Sequence, residues 1–259
     1  MTVAVSSVLG RPLWYELMTT DTAAADRFYS QVLGWNSKPF PNSPQPYSTF
    51  QSGERPVAGM LTTPADVKSP PFWAMYVGVQ RLEDTAAHIE RLGGKSCSPV
   101  IDVPTVGRMQ MMLDPQGAAF YIYEPATPPI LPEADPGVGE ASWHELMTTD
   151  APAAMEFYST VFGWQPSETM DMGPMGNYHM FNRPHGMIGG MMNKPPEMAS
   201  VPPHWQIYFL VPDIAAAVER IKAGGGKILN GPLEVPGGDM IVNAMDPQGG
   251  AFSLHARKK

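Results

Sequence analysis

One stretch of this chain occurs twice. Glu16 to Trp35 reads ELMTTDTAAADRFYSQVLGW and Glu145 to Trp164 reads ELMTTDAPAAMEFYSTVFGW, with fourteen of twenty positions identical. Unrelated sequences of ordinary composition would share about one or two. The offset is 129 residues here, 131 at Tyr47 and Tyr178, and 132 at Trp73 and Trp205. It stays at 132 for Lys95 and Lys227, and for Asp114-Pro115-Gln116-Gly117 and Asp246-Pro247-Gln248-Gly249. The offset changes only where Pro, Ser, Asn and Gly accumulate, so the extra residues belong to loops. A duplication this complete requires one local fold to be built twice.

A chain of 259 residues is long enough for two domains of ordinary size. Between the copies, Pro125, Pro128, Pro129, Pro132 and Pro136 mark a semi-rigid extended connector. The expected organisation is a first domain over 8–125, a linker over 126–137 and a second domain over 138–257.

Within a copy, Trp14 to Thr19 alternates in the manner of a half-buried strand, with Trp14, Glu16 and Met18 on one face. Asp21 can cap a helix whose stripe is Ala25, Phe28 and Val32, and Gly34 supplies its left-handed stop. Asp150, Phe157, Val161 and Gly163 repeat the pattern. Short strands follow around 47–51 and 57–61. A second strand (72–79), helix (82–92) and strands complete the copy, and Asp213 opens the equivalent helix in the second one. Asp-Pro-Gln-Gly is type I turn chemistry and predicts a closing hairpin. The predicted class is α+β, with four strand–helix–strands modules.

Composition excludes several functions. Asp and Glu exceed Lys and Arg for a net charge of −8, which argues against nucleic-acid or anionic-membrane partners. Cys97 is the only cysteine, so neither an intrachain disulfide nor a thiolate metal cluster is available. No stretch reads as a signal peptide or a membrane span. A soluble, cytoplasmic protein is expected, as a monomer or homodimer with a small-molecule ligand.

The order strand, Asp-capped helix, Phe-Tyr, Val-Leu-Gly-Trp or Val-Phe-Gly-Trp, then Val211-Pro212-Asp213 and the Asp-Pro-Gln-Gly hairpin, resembles the glyoxalase/bleomycin-resistance/dioxygenase (vicinal oxygen chelate) superfamily. Trp-x-Glu-Leu and a Trp-x-x-Tyr strand look like its two-domain actinobacterial secreted-antigen branch of glyoxalase-like or hydroxylase proteins. The resemblance implies two tandem domains, each a pair of βαβββ modules curling into a concave half-barrel around a small ligand, often with a divalent metal.

The resemblance also implies where metal ligands would stand: on the first strand of each module and on its last strand. Counting from the helix caps and hairpin glycines, those positions hold Trp14, Ala74 and Tyr121 in the first copy. The second copy has Trp143, Gln206 and Ser253 there. None offers an imidazole or carboxylate. The expectation is therefore no metal and no cofactor. Strand parity places Trp14, Glu16, Phe72, Tyr76, Tyr121 and Tyr123 on the concave face of the first copy. The corresponding set in the second is Trp143, Glu145, His204, Gln206, Tyr208, Ser253 and His255. Aromatics with a few convergent polar groups are what small-molecule sites look like.

Glu145, His204 and His255 form an alternative divalent-metal set in the second domain, and Glu145 with His204 an acid/base pair. Arg108 reaches the concave face with a tight two-residue turn and the surface with a bulged Gly117. His88, His144, His179 and His185 carry no assigned role, and the Met-rich stretches read as adaptable packing. Three functions follow: a binding protein without metal; a lyase, isomerase or oxygenase on a small oxygenated or aromatic metabolite; or a purely structural module. Missing ligands favour the first, and the greater polarity of the second copy disfavours the third.

Overall fold

The computed structural model describes residues 8–41, 43, 45–63, 69–127, 135–183 and 186–258. His185 and connector residues 128–134 lie outside the described residues. The first repeat contains β1 (Pro12–Thr19), α1 (Thr22–Leu33), β2 (Asn36–Pro39), β3 (Tyr47–Ser52) and β4 (Arg55–Thr62). Its second module is β5 (Phe72–Gly78), α2 (Leu82–Arg91), β6 (Lys95–Ser96), β7 (Ile101–Val103), β8 (Gly107–Leu113) and β9 (Ala119–Pro125). The second repeat runs β10 (Ala141–Thr148), α3 (Ala151–Phe162), β11 (Gln165–Asp171), β12 (Asn177–Arg183) and β13 (Gly186–Asn193). It closes with β14 (His204–Leu210), α4 (Ile214–Ala223), β15 (Lys227–Glu234), β16 (Met240–Met245) and β17 (Ala251–Ala256). The strands form two mixed sheets, one per repeat.

Local chemistry sets the helix ends. Asp21, Asp150 and Asp213 accept the backbone N–H three residues on, at 2.9, 3.0 and 3.0 Å. Gly34 and Gly163 stop α1 and α3 at φ of +73° and +71°. The helix α2 lacks such a carboxylate, because Arg81 stands at its cap. Glu124 of β9 takes over, accepting the Leu82 N–H at 2.7 Å.

By contact, the chain divides into two compact units that cut across the repeats. One draws on Met1–Leu13, Met75–Glu133 and His144–Trp205; the other on Trp14–Ala74, Ala134–Trp143 and Gln206–Lys259. Each unit thus joins the first module of one repeat to the second module of the other. The former unit contains the parallel pairs β5–β9 and β10–β13; the latter contains β1–β4 and β14–β17.

The two cores are built alike. In one, Tyr29 stacks on Trp35 while Phe50, Trp73, Phe209 and Phe252 pack around them at edge and tilted angles, with Trp35–Phe50 centroids 4.9 Å apart. The other gathers Phe120, Tyr158, Phe162, Trp164, Phe181 and Trp205, with Trp164 stacked on Phe181 at 4.6 Å. Buried polar tips are paired across the repeats. Trp73 donates to the Tyr29 hydroxyl at 3.0 Å, and Tyr29 donates to Asp246 Oδ2 at 2.9 Å. Trp205, Tyr158 and Asp114 Oδ2 form the mirrored chain at 3.0 and 3.0 Å. The other oxygen of each aspartate holds its own hairpin: Asp114 Oδ1 accepts the Gln116 and Ala118 N–H groups, and Asp246 Oδ1 those of Gln248 and Gly250. Trp35 donates to the Gly139 carbonyl at 2.9 Å, and Trp164 to that of Gly10 at 2.7 Å. One residue type in one repeated motif thereby seals the start of the opposite repeat.

Gly117 and Gly249 sit at φ of +99° and +101°, the bulged form of the turn. Arg108 accordingly pairs opposite Glu124 and bonds Glu83 at the exposed surface.

Candidate functional site

The two repeats share their strands but differ in what those strands present. On β14, β17 and β16 the register places Tyr208 beside Ser253 and Ser253 beside Asn243. Ser253 is fully buried and Tyr208 is 3% exposed. Asn243 Nδ2 donates to Ser253 Oγ at 2.8 Å and to the Tyr208 hydroxyl at 3.1 Å, while Asn230 Nδ2 donates to Asn243 Oδ1 at 3.4 Å. The Gln206 carboxamide is hydrogen-bonded to Ser253 Oγ. The result is a connected network with no charged member. Sequence reasoning found Gln206, Tyr208 and Ser253 but missed Asn243 and Asn230. Their signal was the repeat itself, where the matching positions are Met111 and Ser98.

The equivalent strands of the first repeat are aromatic. Tyr76 and Tyr121 stack at 4.3 Å and 7°, and Tyr123 meets Tyr76 edge-on at 6.4 Å. Met111 and Met109 lie opposite Tyr121 and Tyr123 in the register. Burial pushes the Tyr123 phenol above its usual pKa, and its hydroxyl donates to the Val106 carbonyl. Phe72 begins β5 half-buried.

On β1, Trp14 donates through its indole N–H to the Tyr47 hydroxyl at 2.9 Å. That ring lies over Gly59: a Cβ there would sit 1.7 Å from the Tyr47 hydroxyl. Gly190 does the same for Tyr178, whose hydroxyl a Cβ would meet at 2.4 Å. Glu16 is buried at 7% exposure in register with Gly59, and Glu145 is in register with Gly190. Trp143 is half-buried on β10.

The histidines have different environments. His255 contacts Asp239 Oδ2 through Nε2 at 2.8 Å and Ser142 Oγ through Nδ1 at 2.9 Å. The Asp239 carboxyl lies below its usual pKa, first through the Lys258 N–H it accepts. His204 Nδ1 bonds the Pro202 carbonyl at 2.9 Å, and burial lowers its pKa. His144, on the opposite strand face, is pushed down to about 4 by full burial despite its bond to the Ile188 carbonyl.

Residues 141–254 match the model of the glyoxalase/bleomycin resistance protein/dioxygenase superfamily, and residues 15–123 that of a glyoxalase-like domain. The chain belongs to this superfamily. A putative glyoxylase of Mycobacterium tuberculosis, CFP32, is 32% identical over 249 residues, covering 95% of this chain and 94% of the relative. The anthracycline biosynthesis protein DnrV of Streptomyces peucetius is 29% identical over 262 residues, covering 95% and 92%. Among solved structures, the 2,3-dioxygenase LapB of Pseudomonas sp. KL28 superposes with a TM-score of 0.67 at 14% identity, covering 98% of this chain and 94% of LapB. The Mn(II)-bound glyoxalase of Novosphingobium aromaticivorans gives 0.64 at 17%, covering 97% and 83%. The fold is that of two tandem superfamily domains, each of paired βαβββ modules.

The metal that the superfamily implies fits these residues poorly. Gln206 and Ser253, at two of the positions where the sequence resemblance implies ligands, are hydrogen-bonded to each other, and neither is a strong donor to a hard or borderline cation. Among the described residues no three His, Cys, Asp or Glu side chains converge in a way that could hold a metal ion, and Glu145, His204 and His255 form no such group.

Proposed function

We propose that the protein binds a small neutral organic metabolite, aromatic or oxygenated, against the polar strand face of its second repeat. One observation carries this reading: Gln206 and Ser253, at positions where the resemblance implies metal ligands, join Asn243 and Tyr208 in an uncharged hydrogen-bonding network. Such a network suits hydroxyl or carbonyl groups on a ligand with apolar bulk. The similarity to anthracycline biosynthesis proteins supports a multi-ring aromatic scale of ligand. No helix among the described residues is long and apolar enough to cross a membrane.

The test is thermal stabilisation across a panel of neutral aromatic ketones, quinones and phenols. Saturable stabilisation that disappears in a Ser253→Leu, Asn243→Leu variant supports the reading. Stabilisation that persists in that variant removes it.

A second reading, a lyase, isomerase or oxygenase, draws on His204, whose burial favours the neutral imidazole that can act as a base. Turnover of any bound compound that falls in His204→Ala would favour it. A stoichiometric metal in tag-free protein, lost in the same variant, would assign that turnover to a displaced site in the second domain.

A further inference from the structure

We infer that Ser142, His255 and Asp239 form an esterase site for small activated esters, with Ser142 the nucleophile, His255 Nδ1 its base and Asp239 the residue that positions the ring. The inference uses none of the Gln206, Asn243 and Ser253 side chains and stands apart from the ligand reading above.

The three side chains form an unbroken line. Ser142 Oγ lies 2.9 Å from His255 Nδ1, and His255 Nε2 lies 2.8 Å from Asp239 Oδ2. The other carboxylate oxygen, Oδ1, accepts the Lys258 N–H at 2.8 Å, so the carboxylate is held from both sides. Distant segments supply the set. Ser142 stands near the start of β10, His255 near the end of β17 opposite Ile241, and Asp239 directly before β16. Ser142 and His255 are both half-buried.

The hydrogens can be followed through the line. Asp239 is held below its usual pKa, so at neutral pH it is an ionised acceptor, and Nε2 must carry the hydrogen between them. In the neutral ring Nδ1 is then a lone pair facing Ser142, and it accepts the hydroxyl hydrogen. A second acceptor, the Tyr208 carbonyl, lies 3.2 Å from the same hydroxyl. When Nδ1 takes up a proton it donates to Ser142 Oγ, and the serine hydrogen turns to that carbonyl. Each side chain keeps a partner in both states, as a base that gains and loses a proton requires.

The fold does not need this set. The matching positions of the first repeat hold Leu13, Tyr123 and Gly107, and the same strands pair there. The Tyr123 ring takes the space beside Gly107, where a Cβ would lie 2.8 Å from it. Hydroxyl, imidazole and carboxylate are thus found together in one repeat and are all missing from the other.

The chemistry is acyl transfer. Ser142 Oγ bonds to the ester carbonyl carbon as its hydrogen passes to Nδ1. The bond from that carbon to the phenolic oxygen breaks, and the phenolate leaves with the electron pair and collects the proton from Nδ1. Water then attacks the acyl-serine and gives a proton to Nδ1, and Ser142 Oγ leaves as the free hydroxyl by taking that proton back. Aryl esters are the matching class, because a phenolate is a good leaving group.

The experiment follows hydrolysis of 4-nitrophenyl acetate by the full chain as wild type, Ser142→Ala, His255→Gln and Asp239→Asn, and maps the residue that phenylmethanesulfonyl fluoride modifies. The expected result is a sulfonyl group on Ser142 of wild type, with hydrolysis slower by about a hundredfold in Ser142→Ala and His255→Gln. Asparagine keeps an oxygen for the Lys258 N–H but turns an N–H toward Nε2, which moves the ring hydrogen to Nδ1. Asp239→Asn is therefore expected to slow hydrolysis similarly and to exchange the protonated nitrogen of His255 in nitrogen NMR spectra, a change that a merely structural aspartate would not produce. Hydrolysis at the wild-type rate in any of the three variants, or labelling confined to other residues, overturns the inference. Where a variant does not fold, the residue labelled in wild type decides.

Discussion

Tyr29 donates its phenolic hydrogen to Asp246 Oδ2 at 2.9 Å across 217 residues of sequence. Tyr158 and Asp114 form the same bond at 3.0 Å. Burial and the adjacent carboxylate raise both phenols well above their usual pKa, so each stays a donor. Burial likewise raises the Asp114 carboxyl.

Removing either hydroxyl strands two buried groups, an indole N–H and a carboxylate oxygen. Tyr29→Phe and Tyr158→Phe are each expected to cost about 2–4 kcal/mol. Urea unfolding followed by tryptophan fluorescence measures this, and a loss below about 1 kcal/mol would show that the bonds contribute little.

The first repeat expressed alone, residues 1–126, contains Tyr29 and Asp114 but neither Asp246 nor Tyr158, which they bond across the repeats. It is expected to be unfolded as a monomer, or to fold only as a homodimer in which Asp114 of one copy accepts from Tyr29 of the other. Sedimentation with circular dichroism reads this directly; a folded monomer contradicts it.

His144 titrates near 6.5 when unfolded but near 4 when folded. Its contribution is present above pH 6.5 and is lost as pH falls from about 6.5 toward 4. The full loss is roughly 3 kcal/mol. In His144→Gln the dependence of the urea midpoint on pH across that window is expected to flatten.

The two hairpin glutamines are unequal. Gln248 Oε1 accepts from Thr19, Thr20 and the Asp21 N–H, and its Nε2 donates to the Asp21 carbonyl. Gln116 Oε1 and Thr148 Oγ1, the matching atoms in the other unit, have no partner. Gln248→Ala is expected to destabilise by about 1–3 kcal/mol more than Gln116→Ala. Equal losses by calorimetry would refute the asymmetry.

What the sequence made legible was local. The caps at Asp21, Asp150 and Asp213, the stops at Gly34 and Gly163, and the turn at Asp114 depend on neighbours within a few residues. The substitute cap at Arg81 was not legible, because Glu124 arrives from a distant strand. The exchange of modules was hidden for a different reason. A repeated sequence offers Asp114 two equivalent tyrosines, Tyr29 and Tyr158, and nothing in the pattern distinguishes them. The polar face was half legible: parity groups Gln206, Tyr208 and Ser253, but Asn243 emerges only from the β16–β17 register.

Trp35 closing on Gly139 and Trp164 on Gly10 describe a molecule whose repeats complete one another as two identical subunits would. In a true pair of identical subunits every substitution appears twice, and both strand faces must change in step. Joining them in a single gene breaks that bond of inheritance. One face carries phenols and thioethers where its twin carries amides, Met111 and Asn243 standing at matching positions of the two repeats.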